Sequence, residues 1–156
     1  LVDAKRVGIY GTGFGGYIAL NSLYANPGTY ACAASNAGVI NLFSYLKAIP
    51  PYLKSNLQMF YDMIGNPITD VDYMRQASPV FHADKIKVPV FIAQSAKDKW
   101  VTPGEVVQYV KELKKRNVNV TYLEKTYVDN MQNTSEDRER YYIALEEFLN
   151  ANLKKK

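Results

Sequence analysis

The chain has 156 residues, of which 47% are hydrophobic and 22% are charged, and its formal net charge is +4. This length and composition predict one folded domain over residues 1–156 and exclude an intrinsically disordered chain. A single cysteine, Cys32, and a single histidine, His82, exclude an internal disulfide framework and most zinc sites. We therefore expect no metal and no cofactor, with Cys32 in the core.

The distribution of charge and of apolar residues limits the classes of partner. No apolar run approaches the ~18 residues that a membrane-spanning helix needs. Basic residues cluster at the ends of two predicted helices, where the helix dipole favours cations, and no aromatic-and-basic RNA-binding motif is present. We expect neither a membrane nor a nucleic acid as partner. The absence of a leader and of disulfides favours a cytoplasmic or recombinant setting.

Strands and helices alternate along the chain. The apolar pattern predicts strands over residues 6–10, 30–35, 88–93 and 118–123. It predicts helices over residues 17–25, after Thr102 (the N-cap of a capping box with Glu105), and from Thr134 or Ser135, with a longer helical excursion over 41–78. This alternation predicts an α/β fold, a three-layer αβα sandwich with a mostly parallel sheet of about four strands.

A glycine-rich turn follows the first predicted strand. Gly11, Gly13 and Gly16 satisfy G-x-G-x-x-G between a strand and a helix, the context of a dinucleotide site. Such a site needs an acidic residue ~20 positions further on, and no Asp or Glu occurs between Asp3 and Asp62. Nucleotide binding is therefore kept only as a third hypothesis.

The same turn has a second interpretation, which takes in the residues on either side. Residues 7–17, Val-Gly-Ile-Tyr-Gly-Thr-Gly-Phe-Gly-Gly-Tyr, resemble the nucleophile elbow of the prolyl oligopeptidase family. The family pattern is G-x-S-x-G-G, and Gly13 stands where the nucleophilic serine belongs. A glycine also suits the backbone strain of a tight strand-to-helix turn, and the two interpretations are compatible.

The resemblance continues downstream. Residues 77–79 and 86–92 are similar to the family's approach to its acid-bearing strand, and residues 94–98 follow where the family has Q-G-x-x-D. Asp98 then corresponds to the acid that orients the catalytic histidine, and residues 136–149 resemble the last helix. The similarity covers nearly the whole chain and implies the C-terminal half of an acylaminoacyl peptidase-like α/β-hydrolase domain.

The chain departs from the family where the chemistry lies. Counting back along the last helix places Asn130 at the position of the catalytic histidine. His82 precedes the third strand, so we expect it near the opposite edge of the sheet, as a surface or packing residue. The amide of Phe14 supplies one oxyanion donor, and the family's other donor comes from a loop outside these residues. Gly13, Asp98 and Asn130 are therefore interpreted as a vestigial catalytic set.

Large side chains occupy the loops on the same predicted face. Lys99 and Trp100 follow Asp98, and Tyr127 and Met131 lie in the next loop. Tryptophan, tyrosine and methionine are enriched in interface cores, although here they would also fill a cavity left by missing catalytic groups. The leading hypothesis is a catalytically inactive hydrolase-like scaffold, natural or engineered, that binds protein through these four residues. The alternative is a peptidase or esterase of the serine-hydrolase family with residual or repurposed activity.

The first strand bears on self-association. In the hydrolase fold the last four strands are neighbours, so the strand over 7–10 becomes an open edge of the sheet. Open, apolar edges tend to pair. We therefore expect a homodimer joined along that edge or through the adjacent helix faces.

Overall fold

The computed structural model describes residues 3–126 and 134–154, which build a four-stranded parallel sheet. The strands run in the spatial order β1-β2-β3-β4, with bounds Gly8–Thr12 (β1), Cys32–Asn36 (β2), Val90–Ser95 (β3) and Val120–Lys125 (β4). The helices are Phe14–Ala25 (α1), Leu42–Lys47 (α2), Leu57–Ile64 (α3), Val71–Ala77 (α4), Pro103–Lys115 (α5) and Ser135–Leu153 (α6). Short 3-10 turns occupy Ala4–Arg6, Pro51–Asn56, Pro79–Phe81 and Ala83–Lys85.

The sheet is covered on both faces. Alternate residues of β3 point to opposite sides, so that Ile92 packs into the cluster formed with α1 and α5 and Phe91 into the cluster formed with α6. Every residue of β2 and β3 is buried. The predicted three-layer α/β sandwich is confirmed, and Cys32 lies in the core at 1% exposure. No helix among the described residues is long and apolar enough to cross a membrane.

The observed strands are displaced from their predicted positions. Each begins about two residues later and ends one or two residues later than the apolar pattern predicts. Apart from Gly11, the added residues are polar, among them Thr12, Asn36 and Lys125. A parallel strand continues as long as its backbone pairs with that of its neighbour. The predicted strand, in contrast, ends at the last apolar side chain of the run. The sequence therefore underestimates how far the strands reach toward the carboxyl edge.

The starts of two helices can be compared with their predicted positions. Helix α6 begins at Ser135, within the predicted bounds, and the Oγ1 of its N-cap Thr134 accepts a hydrogen bond from the Asp137 amide at 3.0 Å. Thr102 is the N-cap of α5, but its side chain accepts no hydrogen bond from the first turn. The predicted capping box is wrong because the Glu105 carboxylate is engaged elsewhere. Its two oxygens accept from Asn41 Nδ2 at 3.0 Å and from Ser44 Oγ at 2.6 Å.

The turn from β1 into α1 brings backbone against backbone. A Cβ at Gly11 would collide with the carbonyl group of Gly15, and one at Gly16 would lie 2.8 Å from the Cα of Gly38. No side chain fits at either glycine without movement of the main chain. Helix α1 begins at Phe14 rather than at residue 17, so that Gly15 and Gly16 lie inside it despite the low helix propensity of glycine.

This packing predicts opposite effects for two glycine substitutions in the same turn. We expect Gly11→Ala to destabilise the fold by about 3 kcal/mol or more, since relief of the collision requires a main-chain shift. Gly15→Ala places its methyl group in open space inside α1 and should stabilise by roughly 0.5–1 kcal/mol. Urea denaturation of both variants measures the difference, and equal free energies of unfolding would contradict the packing argument.

Strand β1 lies at the edge of the sheet, as predicted. The Val7 carbonyl and the Gly13 amide bond to the β2 side, so the backbone groups of Tyr10 face away from β2. Beside this edge, α1 leaves Phe14 44% and Ile18 51% exposed. Self-association along this edge stays a prediction.

Light scattering coupled to size exclusion, over a hundredfold concentration range, tests that prediction. We expect a concentration-dependent dimer whose dissociation constant rises about tenfold or more in Tyr10→Lys, because a lysine on an edge strand opposes strand pairing. Tyr142→Lys is the matched control, since Tyr142 is 56% exposed on α6 compared with 49% for Tyr10. A monomer at every concentration would contradict the dimer.

Candidate functional site

The carboxyl ends of the four strands meet at one edge of the sheet, where parallel α/β folds place their ligands. Gly13 follows β1, Asn36 ends β2, and Lys125 ends β4. The Gly13 amide donates to the Asn36 carbonyl at 2.9 Å, and Lys125 Nζ donates to Asn36 Oδ1 at 2.8 Å. Asn36 thus ties the turn after β1 to the last residue of β4.

Gly13 adopts an unusual backbone conformation. Its φ is 58° and its ψ is −121°, which is strained for any residue that carries a side chain. A Cβ built on Gly13 would meet nothing within 4 Å. A sharp turn that projects its central residue into open space above a parallel sheet is the geometry of a nucleophile elbow. Here the elbow is formed and the reactive side chain is absent.

Asp98 organises the loop after β3. Its Oδ1 accepts hydrogen bonds from the amides of Trp100 at 2.8 Å and Val101 at 2.9 Å. Its Oδ2 accepts from Gln94 Nε2 at 3.0 Å. Both carboxylate oxygens are therefore bound within the loop, and the Gln94 Oε1 beside them is buried without a hydrogen-bond partner. Asn130, Tyr127 and Met131 lie outside the described residues.

Four aromatic rings run from this loop to the elbow. Trp100 lies 5.9 Å from Tyr45 between ring centroids, Tyr45 lies 6.5 Å from Phe14, and Phe14 lies 4.9 Å from Tyr17. We call these four residues the aromatic row. Trp100 is partly buried against the main core, whereas Phe14 is 44% exposed. Burial raises the pKa of Tyr17 and of Tyr45, so their hydroxyls stay neutral.

Trp100 packs against Tyr45 and belongs to a row that reaches solvent, a position compatible with either of the two roles left open by the sequence. Lys99, beside it, is exposed. Phe14, Tyr17 and Tyr45 were not among the predicted site residues. Phe14 follows the elbow glycine directly and could have been included, whereas α2 carries Tyr45 and only the tertiary fold brings it there.

Lys125 is a second group that the sequence analysis missed. Its side chain is only 2% exposed, an unusual burial for an ammonium group, which requires polar contacts to offset the loss of water. One such contact is the bond to Asn36 Oδ1. The sequence feature that could have indicated it is a lysine at the end of a strand, two residues after Leu123 and therefore on the same face of the sheet.

His82 lies elsewhere, as predicted. Its ring packs 4.4 Å from that of Tyr24 on α1, and its Nε2–H donates to the Gln76 carbonyl at 2.9 Å. Over residues 3–126 and 134–154, no group of three or more His, Cys, Asp or Glu side chains is placed to hold a metal ion.

The parallel sheet and the strand–elbow–helix unit define a partial α/β-hydrolase fold. The chain belongs to the prolyl oligopeptidase family, whose model matches residues 1–156. It is 36% identical over 120 residues to dipeptidyl aminopeptidase BIII of Pseudoxanthomonas mexicana, covering 76% of this chain and 17% of that protein. It is 35% identical over 126 residues to dipeptidyl peptidase family member 6 of Caenorhabditis elegans, covering 79% of this chain and 17% of that protein.

Solved structures share the fold. The acylaminoacyl peptidase of Pyrococcus horikoshii matches with a TM-score of 0.84 at 22% identity, covering 99% of this chain and 25% of its own. A puromycin-hydrolyzing peptidase of Mycobacterium tuberculosis matches with a TM-score of 0.82 at 22% identity, covering 98% and 23%. The chain thus spans about a sixth of the curated relatives and about a quarter of these structures.

The bonding of Asp98 predicts how two substitutions differ. We expect Asp98→Ala to destabilise by roughly 2–3 kcal/mol, because it removes the acceptor of two loop amides. Asp98→Asn should cost less than about 1 kcal/mol, since its oxygen still accepts from those amides and Gln94 can rotate its unpaired Oε1 toward the new NH₂ group. Urea denaturation measures both. Equal losses for the two variants would contradict the assignment.

Proposed function

We propose that this chain is a non-catalytic part of a prolyl oligopeptidase-type domain and binds polypeptide at the carboxyl edge of its sheet. The observation that carries the proposal is Gly13, which holds the elbow conformation without a nucleophilic side chain. The fold is that of a serine-hydrolase-family peptidase, and the loss of activity and the binding of protein are the parts that we propose.

Acyl transfer requires a nucleophile and a base that takes its proton. Gly13 supplies no nucleophile. By the family resemblance Asn130 stands at the position of the base, and an amide side chain cannot accept a proton at neutral pH. Asp98, the matching acid, already has both oxygens bound within its own loop. These substitutions support a binding role for the site rather than a chemical one.

The nature of the ligand follows from the aromatic row and from the relatives. The names of the curated relatives describe enzymes that release dipeptides or acylated amino acids, so a peptide is the ligand class expected of the family. Phe14 and Trp100 offer large apolar rings, and exposed Lys99 adds a positive charge beside them. Aromatic residues of this kind dominate the energetics of protein interfaces. We expect an apolar side chain of the bound peptide to lie on this row.

A second candidate function is residual peptidase or esterase activity. It is favoured by the family membership of the chain and by the elbow conformation of Gly13, which matches that of an active hydrolase. In this case another group at the carboxyl edge would have to activate water.

Hydrolysis of p-nitrophenyl acetate separates the two functions. We expect turnover no faster than in buffer and no labelling by a fluorophosphonate probe, because the elbow carries no nucleophile. Turnover above buffer that falls in Asp98→Asn, a variant expected to stay folded, would establish the second function and overturn the proposal.

Peptide binding is tested with Trp100, which is the single tryptophan of the chain. Titration with the dipeptide N-acetyl-Phe-Ala should change the tryptophan emission saturably, without cleavage of the peptide. Phe14→Ala should weaken binding about tenfold, the equivalent of ~1.4 kcal/mol. Phe81→Ala is the matched control, since Phe81 is 47% exposed compared with 44% for Phe14. The same affinity in both variants, or no saturable change in the wild type, would contradict binding at the row.

A further inference from the structure

A pocket lies on the outer side of α1, beyond the carboxyl-edge site. Its walls are formed by successive turns of α1, by α4 and by the 3-10 turns that follow α4, and its volume is about 490 Å³. This is within the ~300–1,000 Å³ typical of small-molecule sites. We call it the α1–α4 pocket. The residues that line it and matter chemically are Tyr17, Asn21, Tyr24, Tyr73, His82 and Lys85.

One wall of the pocket is fixed by hydrogen bonds. Asn21 Nδ2 donates to the Tyr24 hydroxyl at 2.7 Å and to the Ala77 carbonyl at 3.0 Å, and Tyr24 itself donates to that carbonyl at 2.9 Å. The His82 ring packs on Tyr24, and its Nε2–H is bound to the Gln76 carbonyl. The Gln76 and Ala77 carbonyls at this wall thereby accept hydrogen bonds within the protein, and the two rings, tilted by 37° to each other, form its apolar part.

Of the remaining polar side chains that line the pocket, Lys85 can only donate, whereas the Tyr17 and Tyr73 hydroxyls and the exposed Gln76 amide can donate or accept. The hydroxyls of Tyr17 and Tyr73 make no hydrogen bond to any described residue, and Lys85 makes no ion pair there. No Asp or Glu is among the described residues that line the pocket. The two phenols line the same pocket, and burial, followed by the influence of Tyr73, raises the pKa of Tyr17. A pocket with an ammonium, two unused hydroxyls and no carboxylate is electrostatically suited to an anion.

We propose that the α1–α4 pocket binds a small organic anion, an aromatic or apolar body that carries one carboxylate or phosphate group. Lys85 and the hydroxyls of Tyr17 and Tyr73 receive the anionic group, through charge-assisted hydrogen bonds of the kind that ammonium and phenol groups form with oxyanions. The Tyr24–His82 pair packs against the body of the ligand. This pocket shares Tyr17 with the aromatic row, whereas its other lining residues lie outside the row and Phe14 and Trp100 lie outside the pocket. Binding of an anion here does not require binding of a peptide at the row.

Ligand-observed NMR with three probes tests the proposal. Benzoate and phenyl phosphate distinguish a carboxylate from a phosphate ligand, and benzyl alcohol has the same ring without the charge. We expect at least one anion to bind saturably, about tenfold or more tightly than benzyl alcohol, which is the scale of one charge-assisted hydrogen bond. Equal binding of the anions and the alcohol, or no saturable binding of either anion, would overturn it.

Matched substitutions locate the binding. Lys85→Gln should weaken the preferred anion about tenfold, whereas Lys87→Gln should leave its affinity unchanged, because Lys87 is exposed on the same segment and does not line the pocket. Tyr73→Phe should weaken it several-fold, with Tyr52→Phe as the control. These four side chains are exposed and have no hydrogen-bond partner among the described residues, so the variants are expected to fold. Equal effects of the two lysine variants would overturn the proposal. None of the four substituted residues belongs to the aromatic row, so that result would leave the peptide-binding proposal unaffected.

Discussion

The architecture depends on direct main-chain contacts, with no intervening side chains, between β1, α1 and the segment after β2. Gly11 lies against the main chain of Gly15, and Gly16 lies against Gly38 and the Ser35 hydroxyl. Three elements can converge there only because Gly11, Gly15, Gly16 and Gly38 have no side chains to separate them. This convergence sets the direction in which α1 leaves the sheet. It also places Gly13, which lies between Gly11 and Gly16, above the carboxyl edge. A side chain at Gly11 or Gly16 would move both the core helix and the site.

This constraint explains how an elbow persists without a nucleophile. The positive φ of Gly13 is held by its neighbours, since its amide is bound to Asn36 and the glycines on both sides are packed against backbone. A residue with a side chain at this position would be strained, and the surrounding packing would have to offset that cost. Glycine adopts the same conformation with little strain, so the turn keeps its shape with Gly13 at its centre. The Asp98 loop behaves similarly, because its carboxylate holds the loop amides whether or not a histidine is present.

The sequence predicted the layers well and the site only in part. The four strands are marked by apolar runs, and the helices between them by caps and periodicity, so local patterns were sufficient for the fold class. The capping box at Thr102 failed because Glu105 is bound to residues more than 60 positions away, at Asn41 and Ser44. Tyr45 of the aromatic row and the buried Lys125 were missed for the same reason. Their roles come from long-range packing, which no window of the sequence contains.

The two faces of the sheet are covered unequally, and this has a consequence for how the molecule opens. One face carries α1, α5 and the excursion over residues 41–78, whereas among the described residues the other is covered by α6 alone. That face presents small side chains, Cys32, Ala34 and Ala93, to the helix, and the contact is concentrated in Tyr141, Leu145 and Phe148. Protection of amides against hydrogen exchange should accordingly divide the chain into two cooperative units. Helix α6 would exchange through partial opening, and the strands with the opposite layer only through global unfolding.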